Sequence, residues 1–179
     1  MELILSLKGL GLDSRLNWDE LFMAKAILLG KTRSVCKYYK VGTIIARGEQ
    51  ILSFGYNGPA RGEDHCSVVG CAKEVNGVRL PPGTTLCRGS HAEINAISNA
   101  ANMGMNIESS TFYITYRPCY GCAKQLVNAK IERIVYYEDY DGEPQAIELL
   151  RRRRIQLVKF CNISQVKIDF NIVSREDGK

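Results

Sequence analysis

The sequence predicts an α/β fold, and three observations carry that prediction. From residue 90 onward, strand-like and helix-like stretches alternate, with helices of about ten residues, the pattern of parallel strands joined by helical crossovers. Ahead of them stand two short β-favouring runs, 40–46 and 50–56, joined by Arg47-Gly48-Glu49, which read as an antiparallel hairpin. The chain of 179 residues, 45% of them apolar, matches one domain with an ordinary core.

Taken in order, Asn17 is placed to cap a helix running through Trp18, Leu21, Phe22, Ala24, Ile27 and Leu28. Asp19 and Glu20 fall in its first turn, where the helix dipole favours acids. The hairpin follows. Residues 57–90 then lose all periodicity and carry Gly, Pro, Cys and several charges. A stretch that long is expected either to be functional or to be held by something other than a core. Ser90 is predicted to cap a helix over 91–103. Next come a strand at 111–116, a helix at 119–129, a strand at 133–137, a helix at 144–153 and a strand at 155–160. Lys167, Asp169 and Asn171 alternate with Val166, Ile168, Phe170 and Ile172, which predicts a last strand on an edge. The expected organisation is a single domain over 1–179, with a core at 17–160 and a C-terminal extension at 161–179; no repeat or low-complexity tract interrupts it.

Lys plus Arg number 24 against 19 Asp plus Glu, a net charge of +5 that suits an anionic ligand without calling for nucleic acid. Seven cysteines is a high and odd count. A secreted disulfide scaffold would want an even number and a leader, whereas Met1 to Lys8 has neither a basic start nor a cleavage site, and no apolar run approaches the length of a membrane span. The expectation is a cytoplasmic protein whose clustered thiols bind metal or do chemistry.

His91-Ala92-Glu93 opens one predicted helix and Pro118-Cys119-Tyr120-Gly121-Cys122 opens the next. Cys119 and Cys122 are three residues apart, so their sulfurs project to one side of a helix, and the free N–H groups of a first turn favour thiolates. Two thiolates and an imidazole give three protein ligands to a tetrahedral Zn²⁺, leaving the fourth place for water, the mark of a catalytic rather than a structural zinc. Glu93, two residues from His91, is the candidate proton shuttle. His-x-Glu followed by Pro-Cys-x-x-Cys is the signature of zinc deaminases.

The runs His91-Ala92-Glu93-Ile94-Asn95-Ala96-Ile97 and Arg117-Pro118-Cys119-Tyr120-Gly121-Cys122-Ala123 resemble the cytidine and deoxycytidylate deaminase superfamily. Within it, Gly55-Tyr56-Asn57-Gly58-Pro59, Asn95 and the segment Ile134 to Asp141 resemble the deoxycytidylate (dCMP) deaminases more than the nucleoside or tRNA enzymes. The likeness covers about residues 17–160. It implies a three-layer α/β/α sandwich around a mixed sheet of about five strands, a homo-oligomer, often a hexamer, and conversion of dCMP to dUMP for thymidylate synthesis. It also implies activation by dCTP and inhibition by dTTP with Mg²⁺. By the same resemblance Asn57, Ala92 and Tyr140 are substrate-binding residues, and Gly55, Tyr56, Asn57 and Gly58 are implied in effector binding; Asn95, four residues after His91, is expected on the same helix face and so at the substrate too. Arg117 departs from the family, which more often has a small residue before the Pro.

Cys36 and Cys66 match positions that serve a second, structural zinc in phage-type dCMP deaminases. The expectation is a closed site of Cys36, Cys66, Cys71 and Cys87 that staples the 57–90 loop, with His65 as the substitute ligand; unliganded thiols are the alternative. Cys161 stands apart. Arg61, Arg88 and Arg117 are equal candidates for the 5′-phosphate. Gly30-Lys31-Thr32 lacks the earlier glycine of a phosphate loop, since Lys25 stands there. Asn162-Ile163-Ser164 is a glycosylation sequon without a secretory route, and Arg151 to Arg154 read as a cationic helix end. Two other readings stay open: a deaminase of dCTP, tRNA or single-stranded nucleic acid, and a non-catalytic zinc-containing regulatory protein. Zinc binding alone has no use for Glu93, which weighs against the second.

Overall fold

The computed structural model describes residues 2–8, 15–80, 87–140, 143–161 and 167–173. The sequon and Asp141 lie outside them. Strand β1 (Glu2–Lys8) leads to helix α1 (Trp18–Arg33). Asn17 caps α1 as expected. Its side chain accepts from the Glu20 amide at 2.9 Å while the Glu20 carboxylate accepts from the Asn17 amide at 2.8 Å, satisfying two otherwise orphaned donors.

Strands β2 (Gly42–Arg47) and β3 (Gln50–Tyr56) form the predicted hairpin, turning at Gly48 with its φ of +56° and carrying a register shift between Ile45 and Ala46. Helix α1 lies so close on β2 that a Cβ on Gly42 would fall 2.1 Å from the Ala26 carbonyl oxygen. Gly30 is buried at the same contact, which accounts for the glycine of Gly30-Lys31-Thr32.

The segment expected to be irregular holds only short pieces: β4 (Gly58–Pro59), α2 (Cys66–Val69), β5 (Glu74–Val75), β6 (Val78–Arg79) and β7 (Gly89–Ser90). None of its described residues is buried. It is held by polar ties instead. Lys37 Nζ reaches both Glu74 carboxylate oxygens at 2.8 and 2.7 Å, the Tyr38 hydroxyl donates to Glu74 at 2.8 Å, and Arg88 donates to the Gly70 carbonyl at 2.9 Å.

Helix α3 (Ala92–Asn102), strand β8 (Thr111–Tyr116), helix α4 (Tyr120–Asn128), strand β9 (Arg133–Glu138), helix α5 (Pro144–Arg152) and strand β10 (Gln156–Lys159) follow the predicted alternation. One boundary differs in a way that matters. His91, not Ser90, occupies the cap position of α3, because Ser90 pairs with Gly58 in the β4–β7 ladder. The five-stranded sheet has the order β10-β9-β8-β2-β3, parallel from β8 through β9 to β10 and antiparallel across β2 with β8 and β3. Strand β11 (Lys167–Val173) exists as predicted and pairs antiparallel with β1 in a separate two-stranded sheet.

Alternation of the strand residues builds three layers. Ile44, Ala46, Tyr113 and Val135 face α1, where Phe22, Met23 and Ala26 bury themselves. Ile45, Phe112, Ile114 and Ile134 point the other way and pack with Ala96, Ala100, Ala123, Leu126, Ala146 and Leu150 of α3, α4 and α5. Arg133 clamps Asp19 through two nitrogens at 2.8 and 2.6 Å, and the Tyr113 hydroxyl donates to the same carboxylate at 2.7 Å, tying α1 to the sheet.

Candidate metal centre and nucleotide pocket

The first turns of α3 and α4 meet at the end of β8. His91 and Cys119 are the cap residues of their helices, both in extended conformation, so their side chains turn off the helix ends toward each other. His91 Nδ1 stands 3.5 Å from Cys119 Sγ and 3.4 Å from Cys122 Sγ, and the Cys122 amide points at Cys119 Sγ across 3.5 Å. Among the described residues these three form the group whose ligand atoms all lie within 4.8 Å of one another. Two thiols and an imidazole at that spacing fit Zn²⁺ with a place left over.

The protonation pattern suits a metal ligand set. The Cys122 thiol donates to Cys119 and, with His91, pulls the Cys119 thiol down to about 4 against the opposing cost of burial. Cys122 is pushed up by that same bond and by burial, so without an ion the pair holds one proton, which ligation would release. The Cys119 contact raises the His91 imidazole. Glu93 is buried beside them at 4% exposure, and burial raises its carboxyl, the direction that suits a group taking and returning a proton.

What brings Glu93 there is a glycine. A Cβ on Gly55 of β3 would fall 2.3 Å from the Ala92 carbonyl oxygen and 2.5 Å from the Ala96 nitrogen. Only a bare backbone lets the first turn of α3 seat on β3. Ser53 and Asn95 secure the contact, donating to the Ala96 and Tyr56 carbonyls at 2.8 Å each. The expected effector role of Gly55 thus meets a packing role that already explains the residue.

His91, Glu93 and Cys119 line a cavity of about 150 Å³ together with Ala92, Asn57, Gly58, Tyr116 and Tyr140. Asn57 is in its wall, but its amide bridges backbone: Oδ1 accepts from Val41 and Nδ2 donates to Tyr39, each at 2.9 Å. Asn95 is not brought to this cavity. It lines a neighbouring one of about 550 Å³, with Arg33, Tyr56, Gly58, Arg61 and His65. The four-residue spacing from His91 would share a face only if both residues were helical, and His91 is the cap.

Cys36, Cys66, Cys71 and Cys87 do converge, all on the wall of the 150 Å³ cavity. Burial, then the neighbouring Cys71, Cys87 and Cys36, push the Cys66 thiol up. No three of their sulfurs come within the 4.8 Å that the His91 group meets. His65 lines the neighbouring cavity.

Arg117 shows what its departure from the family does. Only 9% of its side chain is exposed; it donates to the Tyr140 carbonyl at 2.5 Å and pairs with Asp139 at 3.7 Å, fixing the Tyr140 segment over the pocket. Sequence reasoning overlooked Lys37, Lys73 and Arg79, which line the cavity from the irregular segment and the stretch before β2. It also overlooked Glu143, whose carboxylate accepts from the Tyr120 amide at the start of α4. No motif marks these residues. Among the described residues no helix is long and apolar enough to cross a membrane.

A family model described as the cytidine and deoxycytidylate deaminase zinc-binding region matches residues 16–138. ComE operon protein 2 of Bacillus subtilis is 33% identical over 159 residues, covering 89% of this chain and 76% of that protein. The deoxycytidylate deaminase of Homo sapiens is 30% identical over 175 residues and 90% of each chain. The crystal structure of dCMP deaminase from the cyanophage S-TIM5 in complex with dCMP and dUMP matches with a TM-score of 0.68 at 26% identity, covering 82% of this chain and 99% of that one.

Proposed function

The chain belongs to the cytidine and deoxycytidylate deaminase family, and from that membership we propose that it hydrolyses dCMP to dUMP and ammonia, supplying dUMP for thymidylate synthesis. The observation that carries this reading is the buried Glu93 beside a His91-Cys119-Cys122 group, with His91, Glu93 and Cys119 lining one cavity. His91, Cys119 and Cys122 are the residues that would hold Zn²⁺, which when bound supplies Lewis acidity and makes hydroxide available near neutrality. Glu93 accepts the proton of the attacking water and delivers it to N3 of the cytosine ring. Oxygen adds at C4, Glu93 then takes the remaining hydroxyl proton and passes it to the amino nitrogen, and the C4–N bond breaks as the C4 carbonyl forms, releasing ammonia. The Ala92 backbone and Tyr140 border the ring's position.

Cys36, Cys66, Cys71 and Cys87 hold a second, structural zinc, supported by their convergence on one wall. The neighbouring cavity beside Tyr56 and Gly58 takes dCTP or Mg²⁺-dTTP as effectors, supported by its arginines Arg33 and Arg61. A cytoplasmic homo-oligomer, a hexamer in the first instance, completes the reading. Assaying dCMP, dCTP, deoxycytidine and a single-stranded oligonucleotide side by side tests it. Fastest turnover of dCMP is the expected result; preferred turnover of the oligonucleotide overturns it.

A further inference from the structure

The cavity lined by His91, Glu93 and Cys119 is lined also by Lys37, Tyr38, Tyr39, Lys73 and Arg79. Strands β5 and β6 make a small hairpin in which Glu74 and Arg79 are register partners. Glu74 docks that hairpin on the 37–38 stretch through Lys37 and Tyr38. The docking lays the Arg79 guanidinium over two rings, with its central carbon 4.5 Å from the Tyr38 centroid and 5.3 Å from that of Tyr39. Tyr39 in turn stands edge-on to Tyr116 at 5.5 Å and to Tyr140 at 6.1 Å, so the cation is joined to the aromatic wall of the nucleotide pocket.

We propose that Arg79 binds the 5′-phosphate of the substrate and sets the preference for a nucleotide over a free nucleoside, an inference that rests on the dCMP reading above. A guanidinium stacked by its face on a ring keeps its N–H edge for bidentate contact with a phosphate. Among the described residues no carboxylate is paired with Arg79, and its contacts are the two tyrosines. Lys73 also lines the cavity, but as a point charge without the bidentate edge of a guanidinium; the other cations of the region are committed elsewhere. Arg61 lines the neighbouring cavity, Arg88 donates to Gly70, Arg117 is fixed on Tyr140 and Asp139, and Lys37 is clamped by both oxygens of Glu74.

The test is steady-state kinetics of the zinc-loaded enzyme and its R79Q and R79K variants on dCMP, with melting temperature and zinc content measured alongside. R79Q should raise the KM for dCMP roughly 10- to 100-fold, the worth of a hydrogen bond to a charged group. Its kcat should stay within a few-fold, with melting and zinc unchanged, and R79K should recover part of the loss as a point charge. An R79Q enzyme whose KM for dCMP is unchanged, or whose kcat falls while KM holds, overturns the role of Arg79 alone. Wild-type enzyme that does not deaminate dCMP overturns the substrate reading itself.

Discussion

Helices α3 and α4 and the strand between them send Ala92, Glu93, Ala96, Phe112, Ile114, Cys122 and Leu126 into the interior, whereas the described residues of 57–90 contribute no buried residue at all. Both regions wall the same cavity. His91, Glu93, Cys119 and Cys122 stand on the side fixed by apolar burial, where tenths of an ångström are held by a packed core. The side with Arg79 and the four thiols is fixed by an ion pair, a tyrosine hydroxyl and short ladders. A pocket built this way separates chemistry from recognition, since the second wall can change without disturbing the first.

Substitution of Glu93 by Gln should have the largest effect. It removes the proton carrier and little else, so kcat should fall roughly 10²- to 10⁴-fold while zinc content and melting temperature hold. Near-normal turnover by that variant would show that the buried side does not do the chemistry. Next in size is Leu126→Ala, which should cost about 2–5 kcal/mol as a fully buried large-to-small change. Val68→Ala, at a side chain 80% exposed, should stay within about 0.5 kcal/mol. Denaturant midpoints for the two check the contrast directly, and equal losses would erase it.

Metal counting sharpens the same comparison. The wild-type chain should carry two zinc ions and Cys66→Ser one, with the frame's circular dichroism retained. A single zinc in the wild type would remove the metal from the loop side. A modest effect belongs to Asp19, whose carboxyl is held below its ordinary value by Arg133, against some burial. A depressed carboxyl stabilises the fold above its unfolded value near 3.8 and loses that contribution as pH falls through the lower folded value. With 32% of the side chain exposed, the contribution should be under about 1 kcal/mol. Melting curves between pH 6 and pH 3 should therefore be flatter for Asp19→Asn than for the wild type.

Much of the frame was legible because its signals are local: the Asn17 cap, the period-2 strands, the Cys119-to-Cys122 spacing. Where the structure departs from the local reading, contacts between residues distant in sequence are the cause. Ser90 looked like the cap because its own ladder with Gly58 joins residues 32 apart in sequence. Asn95 was assigned by a helical spacing that fails when the first residue of the pair is not helical. Asn57 carried a motif, but its partners are the backbone of Tyr39 and Val41, brought together only by folding. Arg79 was invisible because its value comes from Tyr38 and Tyr39, which no spacing links to it.

Gly55 touches Ala92 and Ala96 with no room for a single carbon. An activity-scored saturation screen would therefore return it as intolerant as His91, Glu93, Cys119 and Cys122, although its role is to set a gap. Mutational intolerance and chemical participation are different quantities, and at this position they part company. An allele at Gly55 would read as a catalytic lesion while being a fault of fit, and a compensating change in the first turn of α3 could repair it where none could replace Glu93.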